Sequence, residues 1–196
     1  KARAVCVGGN FNFGYRQRGS VQTLREFSSD FEVIEAPALR VRGTIVSSSR
    51  IREPGEGGEV SPACRLLGRW IQVEGKIVSG AGRGRTMKVP TLNLQAENEL
   101  IPKVGVYVTR VSLDGSAFMN AVTNVGFRPT FNEEGLTIET FVLDSVVPEN
   151  AAKARVAFLY RLRDEKKFGS ADELRKQIGV DVNRAQRFFR MLNIKE

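Results

Sequence analysis

Apolar and polar residues alternate with a two-residue period through much of the chain's second half, and that alternation predicts strands. Trp70–Val78 carries Ile71, Val73 and Ile77 at its apolar positions. Gly105–Leu113 sets Val106, Val108 and Val111 against Tyr107, Thr109 and Arg110. Phe118–Val125, Leu136–Leu143 and Ala154–Arg163 read the same way, and Leu92–Leu94 adds a short piece. Gly, Asn and Asp turns separate these runs, which points to an antiparallel barrel or sandwich rather than a parallel sheet. The period then changes. Leu174, Ile178, Val182, Ala185 and Phe189 fall near one face of a helix that should pack on the strands. Ser170 with Glu173 forms an S-x-x-E capping box at its start, and Gly179 weakens its middle.

The first third is different in texture. Ala2–Gly8 predicts a strand, followed by Asn10-Phe-Asn-Phe-Gly14 and a basic loop to Gly19. Ser20–Phe27 predicts a short helix, and Phe31–Ala36 and Gly43–Ser47 short strands. Pro54-Gly-Glu-Gly-Gly58 is a cluster of breakers. Val60–Leu67 predicts a helix with Ala63, Leu66 and Leu67 on its apolar face, stopped by Gly68. The domain boundary is expected there, giving regions 1–68 and 69–196. The fold class is α+β, with a partial α/β region leading into the strand-rich one.

Composition narrows the chemistry. The 196 residues include no histidine, so His-based general bases, Ser-His-Asp triads and ordinary zinc sites are excluded. Catalysis must use carboxylates, hydroxyls, Lys, Arg or a bound cation. Cys6 and Cys64 form no CxxC pair and are read as two buried thiols in a reducing intracellular compartment. No apolar run approaches the ~18–20 residues of a membrane span, so no membrane partner is expected. The chain opens at Lys1, directly into a strand-like run, which suggests a truncated or processed chain with no targeting segment of its own. A net charge of +8 favours anionic partners, from nucleotides to nucleic acid or a larger anionic assembly. The basic residues are scattered, which also fits a generally basic surface.

One stretch concentrates candidate chemistry: Gly80-Ala-Gly-Arg-Gly-Arg-Thr-Met-Lys-Val-Pro-Thr-Leu-Asn-Leu94. Gly80, Gly82 and Gly84 let backbone approach a ligand and form an anion nest. Arg83 and Arg85 add fork-shaped donors suited to phosphate, and Pro90 fixes the entry to the next step. Thr91 and Asn93, two residues apart, share a face if the segment is a strand and offer neutral oxygens to a hard cation. The same residues also fit a mobile basic hairpin loop ending in a backbone-bonded turn. Glu139, mid-strand between Ile138 and Phe141, is either a solvent-side carboxylate or a placed base.

Taken in order, these motifs resemble the riboflavin kinase module. The series runs from the glycine–arginine loop and Pro90-Thr-Leu-Asn93, through Gly105-Val-Tyr107 and Asn124-Val-Gly-Phe-Arg-Pro-Thr-Phe131, to Ile138-Glu-Thr-Phe-Val-Leu-Asp144. It ends with Leu162-Arg-Asp-Glu-Lys-Lys-Phe168 and a helix carrying Ile178 and Asp181. Val7-Gly-Gly-Asn-Phe-Asn-Phe-Gly14 and Ser47-Ser-Ser-Arg-Ile-Arg52 resemble the back half of the FAD synthetase module that precedes the kinase in bifunctional bacterial-type enzymes.

The resemblance implies a six-stranded antiparallel Greek-key barrel with a C-terminal helix. It implies transfer of the ATP γ-phosphoryl to the riboflavin ribityl 5′-hydroxyl, giving ADP and FMN. Glu139 would be the base; Thr91 and Asn93 would hold Mg²⁺. Gly80, Gly82, Arg83, Gly84, Arg85, Pro90 and Thr91 would hold the ATP phosphates. Arg128, Glu165 and Phe168 would line the flavin side. Adenylyltransfer to FAD is not expected of this chain, because the histidine-containing nucleotide motif of the synthetase is absent from it.

The sequence departs from the family at one place. The usual Gly-Phe-Pro-Thr-Ala-Asn reads Lys88-Val-Pro-Thr-Leu-Asn93 here, with Lys88 at a glycine position and Leu92 at an alanine position. A degenerate, non-catalytic relative, retained in a larger and RNA-containing assembly, is the alternative expectation.

Overall fold

The computed structural model describes residues 2–78, 91–129, 134–143, 147, 148 and 150–192. These divide into two compact units, Lys1–Ser47 and Ser48–Glu196. Among the described residues, no helix is long and apolar enough to cross a membrane.

The first unit contains a parallel strand pair, β1 (Ala4–Gly8) with β4 (Glu32–Ala36). Between them lie a short hairpin, β2 (Asn12–Phe13) with β3 (Gly19–Ser20), and helix α1 (Val21–Glu26). The helix begins where the sequence predicts, because the Ser20 hydroxyl accepts the Thr23 N–H and the Thr23 hydroxyl accepts the Ser20 N–H. A second hairpin, β5 (Arg40–Val41) with β6 (Thr44–Ile45), completes the unit. Cys6 is exposed on β1, not buried as its apolar neighbours suggest. In this strand Val7 is the buried residue, so the alternation turns Cys6 the other way.

The second unit opens with helices α2 (Ser48–Gly57) and α3 (Val60–Leu67). The cluster around Pro54 does not break the chain as expected; Pro54 lies inside α2. Gly55 is buried beside Ile71 and Leu100, and the Pro54 carbonyl accepts the Glu59 N–H at 2.7 Å on the way into α3. Tertiary packing thus overrides the local penalty of a proline that offers no N–H. Helix α3 ends as predicted at Gly68, whose φ of 71° is left-handed. It packs on the barrel, with Val60 and Ala63 in the main buried cluster and the Ser61 hydroxyl donating to the Leu159 carbonyl at 3.0 Å. The change of pattern at residue 68 therefore falls inside this unit.

Six strands close the barrel: β7 (Ile71–Val78), β8 (Thr91–Ala96), β9 (Gly105–Leu113), β10 (Met119–Pro129), β11 (Glu134–Val142) and β12 (Lys153–Arg163). The order around it is β10-β11-β8-β7-β12-β9, and every pairing is antiparallel. Tyr107, Val73, Val111, Val125, Ile138, Val156 and Phe158 fill the interior, with Tyr107 and Phe158 edge to face at 5.2 Å. Thr109, Thr123 and Thr140 also point inward. Their hydroxyls form a buried chain, 2.8 Å from Thr109 to Thr123 and 3.0 Å from Thr123 to Thr140.

Helix α4 (Ala171–Leu192) covers the outer face of β9 and β10. Ala185 and Phe189 bury Val106, Val108, Val122 and Leu159 beneath it. Alternation in β9 predicts one wet face, yet both are buried, because the barrel interior takes one side and α4 the other. The helix start also differs in detail from a capping box. The Ser170 hydroxyl accepts the Glu173 N–H, but the Glu173 carboxylate reaches one residue further back, to the Gly169 N–H at 3.0 Å. Gly179 does not interrupt the helix.

Candidate active site

Residues on adjacent strands that face each other across a ladder share a face of the sheet. Asn93 of β8 pairs with Glu139 of β11, and Glu139 pairs in turn with Asn124 of β10. The row continues through Val106 of β9 to Arg163 at the end of β12. Ile138, Thr140, Thr123 and Val125 occupy the interior, so the Asn93–Glu139–Asn124 row stands on the outside of the barrel. Thr91, two residues before Asn93, lies on the same side and pairs with Phe141. Thr91, Asn93, Asn124 and Glu139 are all half-buried. The arrangement places a carboxylate beside a hydroxyl and two carboxamides on the outer face of the barrel.

The connection from β12 to α4 brings a second carboxylate to this row. A Cβ placed on Gly126 would lie 2.3 Å from Oε1 of Glu165 and 3.2 Å from Nδ2 of Asn124. The bare glycine is what leaves room for Glu165 over β10. Phe168 sits in the same connection, flanked by the Arg163 guanidinium and the Lys166 ammonium, each 5.9 Å from its ring.

Arginine side chains fix the ends of this region. Arg161 donates to the Val104 carbonyl at 2.7 Å, to Asp164 at 2.8 Å and to the Tyr107 hydroxyl at 3.3 Å. The hydrogen bond and charge of Arg161 hold the Asp164 carboxyl below its usual range. Burial pushes the Tyr107 phenol up, and the Arg161 hydrogen bond opposes that only in part. The Tyr107 hydroxyl donates to the Lys103 carbonyl, so the entry to β9 is tied to the exit of β12.

The structure brings together Thr91, Asn93 and Glu139, and separately Glu165 and Phe168, which the row through Asn124 joins. Arg128 lies in β10 opposite Gly135, and its side chain is outside the described residues. Gly80, Gly82, Arg83, Gly84, Arg85, Lys88 and Pro90 also lie outside them. Sequence reasoning passed over Asn124, Gly126 and the Arg163–Asp181 pair as site elements. All four residues sit inside or beside the motifs named above, but only the closed barrel places Asn124 and Gly126 beside Glu139 and Glu165, and only the packed helix brings Asp181 to Arg163.

Among the described residues there is no group of three or more Cys, Asp or Glu side chains able to cage a metal. The donor set instead fits a cation such as Mg²⁺ that keeps most of its water and substrate oxygens. Thr91 and Asn93 offer two neutral oxygens on one face, with the Glu139 carboxylate alongside.

The riboflavin kinase family matches residues 67–189, and the FAD synthetase family matches residues 1–50. The bifunctional riboflavin kinase/FMN adenylyltransferase of Haemophilus influenzae is 31% identical over 187 residues, spanning 94% of this chain and 61% of that protein. The Bacillus subtilis protein of the same name is 31% identical over 190 residues, 94% of this chain and 60% of its own length. A crystal structure described as a macrolide-efflux protein from Streptococcus pneumoniae superposes with a TM-score of 0.79 at 32% identity, covering 91% of this chain and 58% of that one. The chain thus spans about three fifths of the length of the curated relatives it matches. With the family match running through every strand of the barrel and most of α4, the chain belongs to the riboflavin kinase family.

Proposed function

We propose that the chain transfers the γ-phosphoryl of ATP to the 5′-hydroxyl of riboflavin, giving FMN and ADP. The observation that carries this reading is the position of Glu139, between Asn93 and Asn124 on the outer face of the barrel. A primary hydroxyl is a weak nucleophile at neutral pH, and a carboxylate within hydrogen-bond reach of it removes its proton as the phosphorus is attacked. Glu139 takes that role. It is held on a paired strand rather than a loop, so the hydroxyl meets a base of fixed direction.

Thr91 and Asn93 would hold Mg²⁺ carrying the ATP phosphates. The ion when bound neutralises charge on the β- and γ-phosphate oxygens. Gly80, Gly82, Arg83, Gly84, Arg85 and Pro90, which precede Thr91 in sequence, would contact the ATP phosphates. Arg128, Glu165 and Phe168 take the flavin side, Phe168 offering an apolar ring and Glu165 an acceptor for ring N–H or ribityl hydroxyls. Residues 69–196 then make up the kinase region and residues 1–68 the synthetase remnant, of which residues 1–50 carry the similarity to FAD synthetase. No observation favours a non-catalytic subunit of an RNA-containing assembly.

The test is direct. The purified chain is incubated with riboflavin, ATP and MgCl₂, and FMN is separated by chromatography. FMN formation that needs all three additions supports the proposal. Absence of FMN, together with no binding of ATP or riboflavin by calorimetry, overturns it.

A further inference from the structure

Asp181 is a carboxylate in helix α4 with only 3% of its surface exposed. A buried carboxylate is tolerated when its oxygens are fully engaged, and these are. Arg163 donates to both of them, from Nε at 3.1 and 3.0 Å and from Nη2 at 2.8 Å. Gln177, one turn earlier in α4, adds a bond at 3.0 Å. The remaining terminal nitrogen of Arg163 donates to the Asp164 carbonyl at 2.9 Å. The same guanidinium lies beside the ring of Phe168. One side chain thus binds the helix, the first peptide of the connection and the aromatic residue near its end.

That connection is the segment that carries Glu165 over Gly126. It has no strand or helix hydrogen bonding of its own between Arg163 and Ala171. Its path is set by its ends and by what holds its middle. Arg163 is also the last member of the cross-strand row that contains Glu139 and Asn124. We infer that the Arg163–Asp181 pair is a positioning clamp. It sets the Glu165–Phe168 segment against the catalytic row and so governs recognition of the flavin, not of the nucleotide. Gly126 is the matching half of the device, because only a residue without a side chain admits the Glu165 carboxylate at that distance. The inference rests on the assignment of Glu165 and Phe168 to the flavin side.

Two variants approach the clamp from opposite sides. Arg163→Lys keeps a positive charge near Asp181 but loses the paired fork and the bond to the Asp164 carbonyl. Gly126→Ala leaves the clamp intact, displaces the flexible end of Glu165 and asks the Asn124 carboxamide to give by only a few tenths of an ångström. Both are assayed for FMN formation with riboflavin and ATP varied separately, and both are checked for melting temperature. We expect the riboflavin KM to rise about 10- to 100-fold in each, with the ATP KM within about twofold of wild type. Gly126→Ala is expected to keep its melting temperature. A purely structural pair predicts the other pattern, in which Arg163→Lys melts earlier, both KM values hold and Gly126→Ala is silent; that result overturns the inference. A wild-type chain that forms no FMN overturns instead the kinase reading beneath it.

Discussion

Thr123→Val removes the centre of the hydroxyl chain inside the barrel. Thr123 accepts or donates at 2.8 Å to Thr109 and at 3.0 Å to Thr140, and all three residues are at most 1% exposed. The substitution leaves both outer hydroxyls without that partner in a site closed to water. Each such loss costs about 1–2 kcal/mol, at the lower end for an unsatisfied hydroxyl, and the isosteric methyl returns little of it, so the variant should be destabilised by about 2–4 kcal/mol. With an m-value in urea of about 2 kcal/mol/M, the middle of the range for small proteins, the unfolding midpoint should fall by about 1–2 M. Trp70, the one tryptophan and partly buried beside the outer cluster, reports the transition by fluorescence.

The informative comparison is the triple variant, with valine at 109, 123 and 140. It removes every member of the chain and leaves no hydroxyl stranded, so it should be less destabilised than Thr123→Val alone. Thr123 and Thr140 adjoin Asn124 and Glu139 in sequence and face the opposite side of the same ladder. The buried chain therefore holds the register beneath the Asn93–Glu139–Asn124 row, where a one-residue slip would turn Glu139 inward. A single variant within about 0.5 kcal/mol of wild type, or a triple variant less stable than the single, refutes this reasoning.

Other outcomes follow from local features. Gly68→Ala meets no neighbour within 4 Å, but it must adopt a φ of 71°, so it should lose roughly 1 kcal/mol in urea unfolding through backbone conformation alone. Burial pushes the Cys64 thiol up, so iodoacetamide near pH 8 should label exposed Cys6 well before Cys64, as read by mass spectrometry. Because its pKa is raised on folding, Cys64 contributes stability that is present below the thiol's unfolded range and is lost as pH rises through the folded value. Stability measured from pH 8 upward should therefore fall less steeply in Cys64→Ala than in the unsubstituted chain.

Individual strands and helices were the legible part of this sequence. Gly105–Leu113 emerged with both its bounds, and Val60–Leu67 with its stop at Gly68. Period and turn chemistry are local properties, and these segments obey them. Closure of the barrel is not local: β8 joins β11, and β12 inserts between β7 and β9. Only that closure turns Asn93 and Glu139, 46 residues apart in sequence, into neighbours. The family motifs named Thr91, Asn93 and Glu139 as candidates, whereas the closeness of Gly126 to Glu165 emerges only from the folded chain. Pro54 inside α2 was misread because packing against residues distant in sequence decided it, and Cys6 because Val7 takes the buried side of β1 and the alternation turns Cys6 away.

The central claim is that Glu139 on the outer face of the barrel removes the proton from the riboflavin hydroxyl. Glu139→Gln keeps the size and the strand pairing but cannot take a proton at neutral pH. Turnover to FMN at saturating riboflavin and Mg²⁺-ATP, measured beside a melting curve, tests it most directly. The account predicts that kcat falls about 10²–10⁴-fold with an unchanged melting temperature. A fully folded Glu139→Gln chain that forms FMN at the wild-type rate would contradict it.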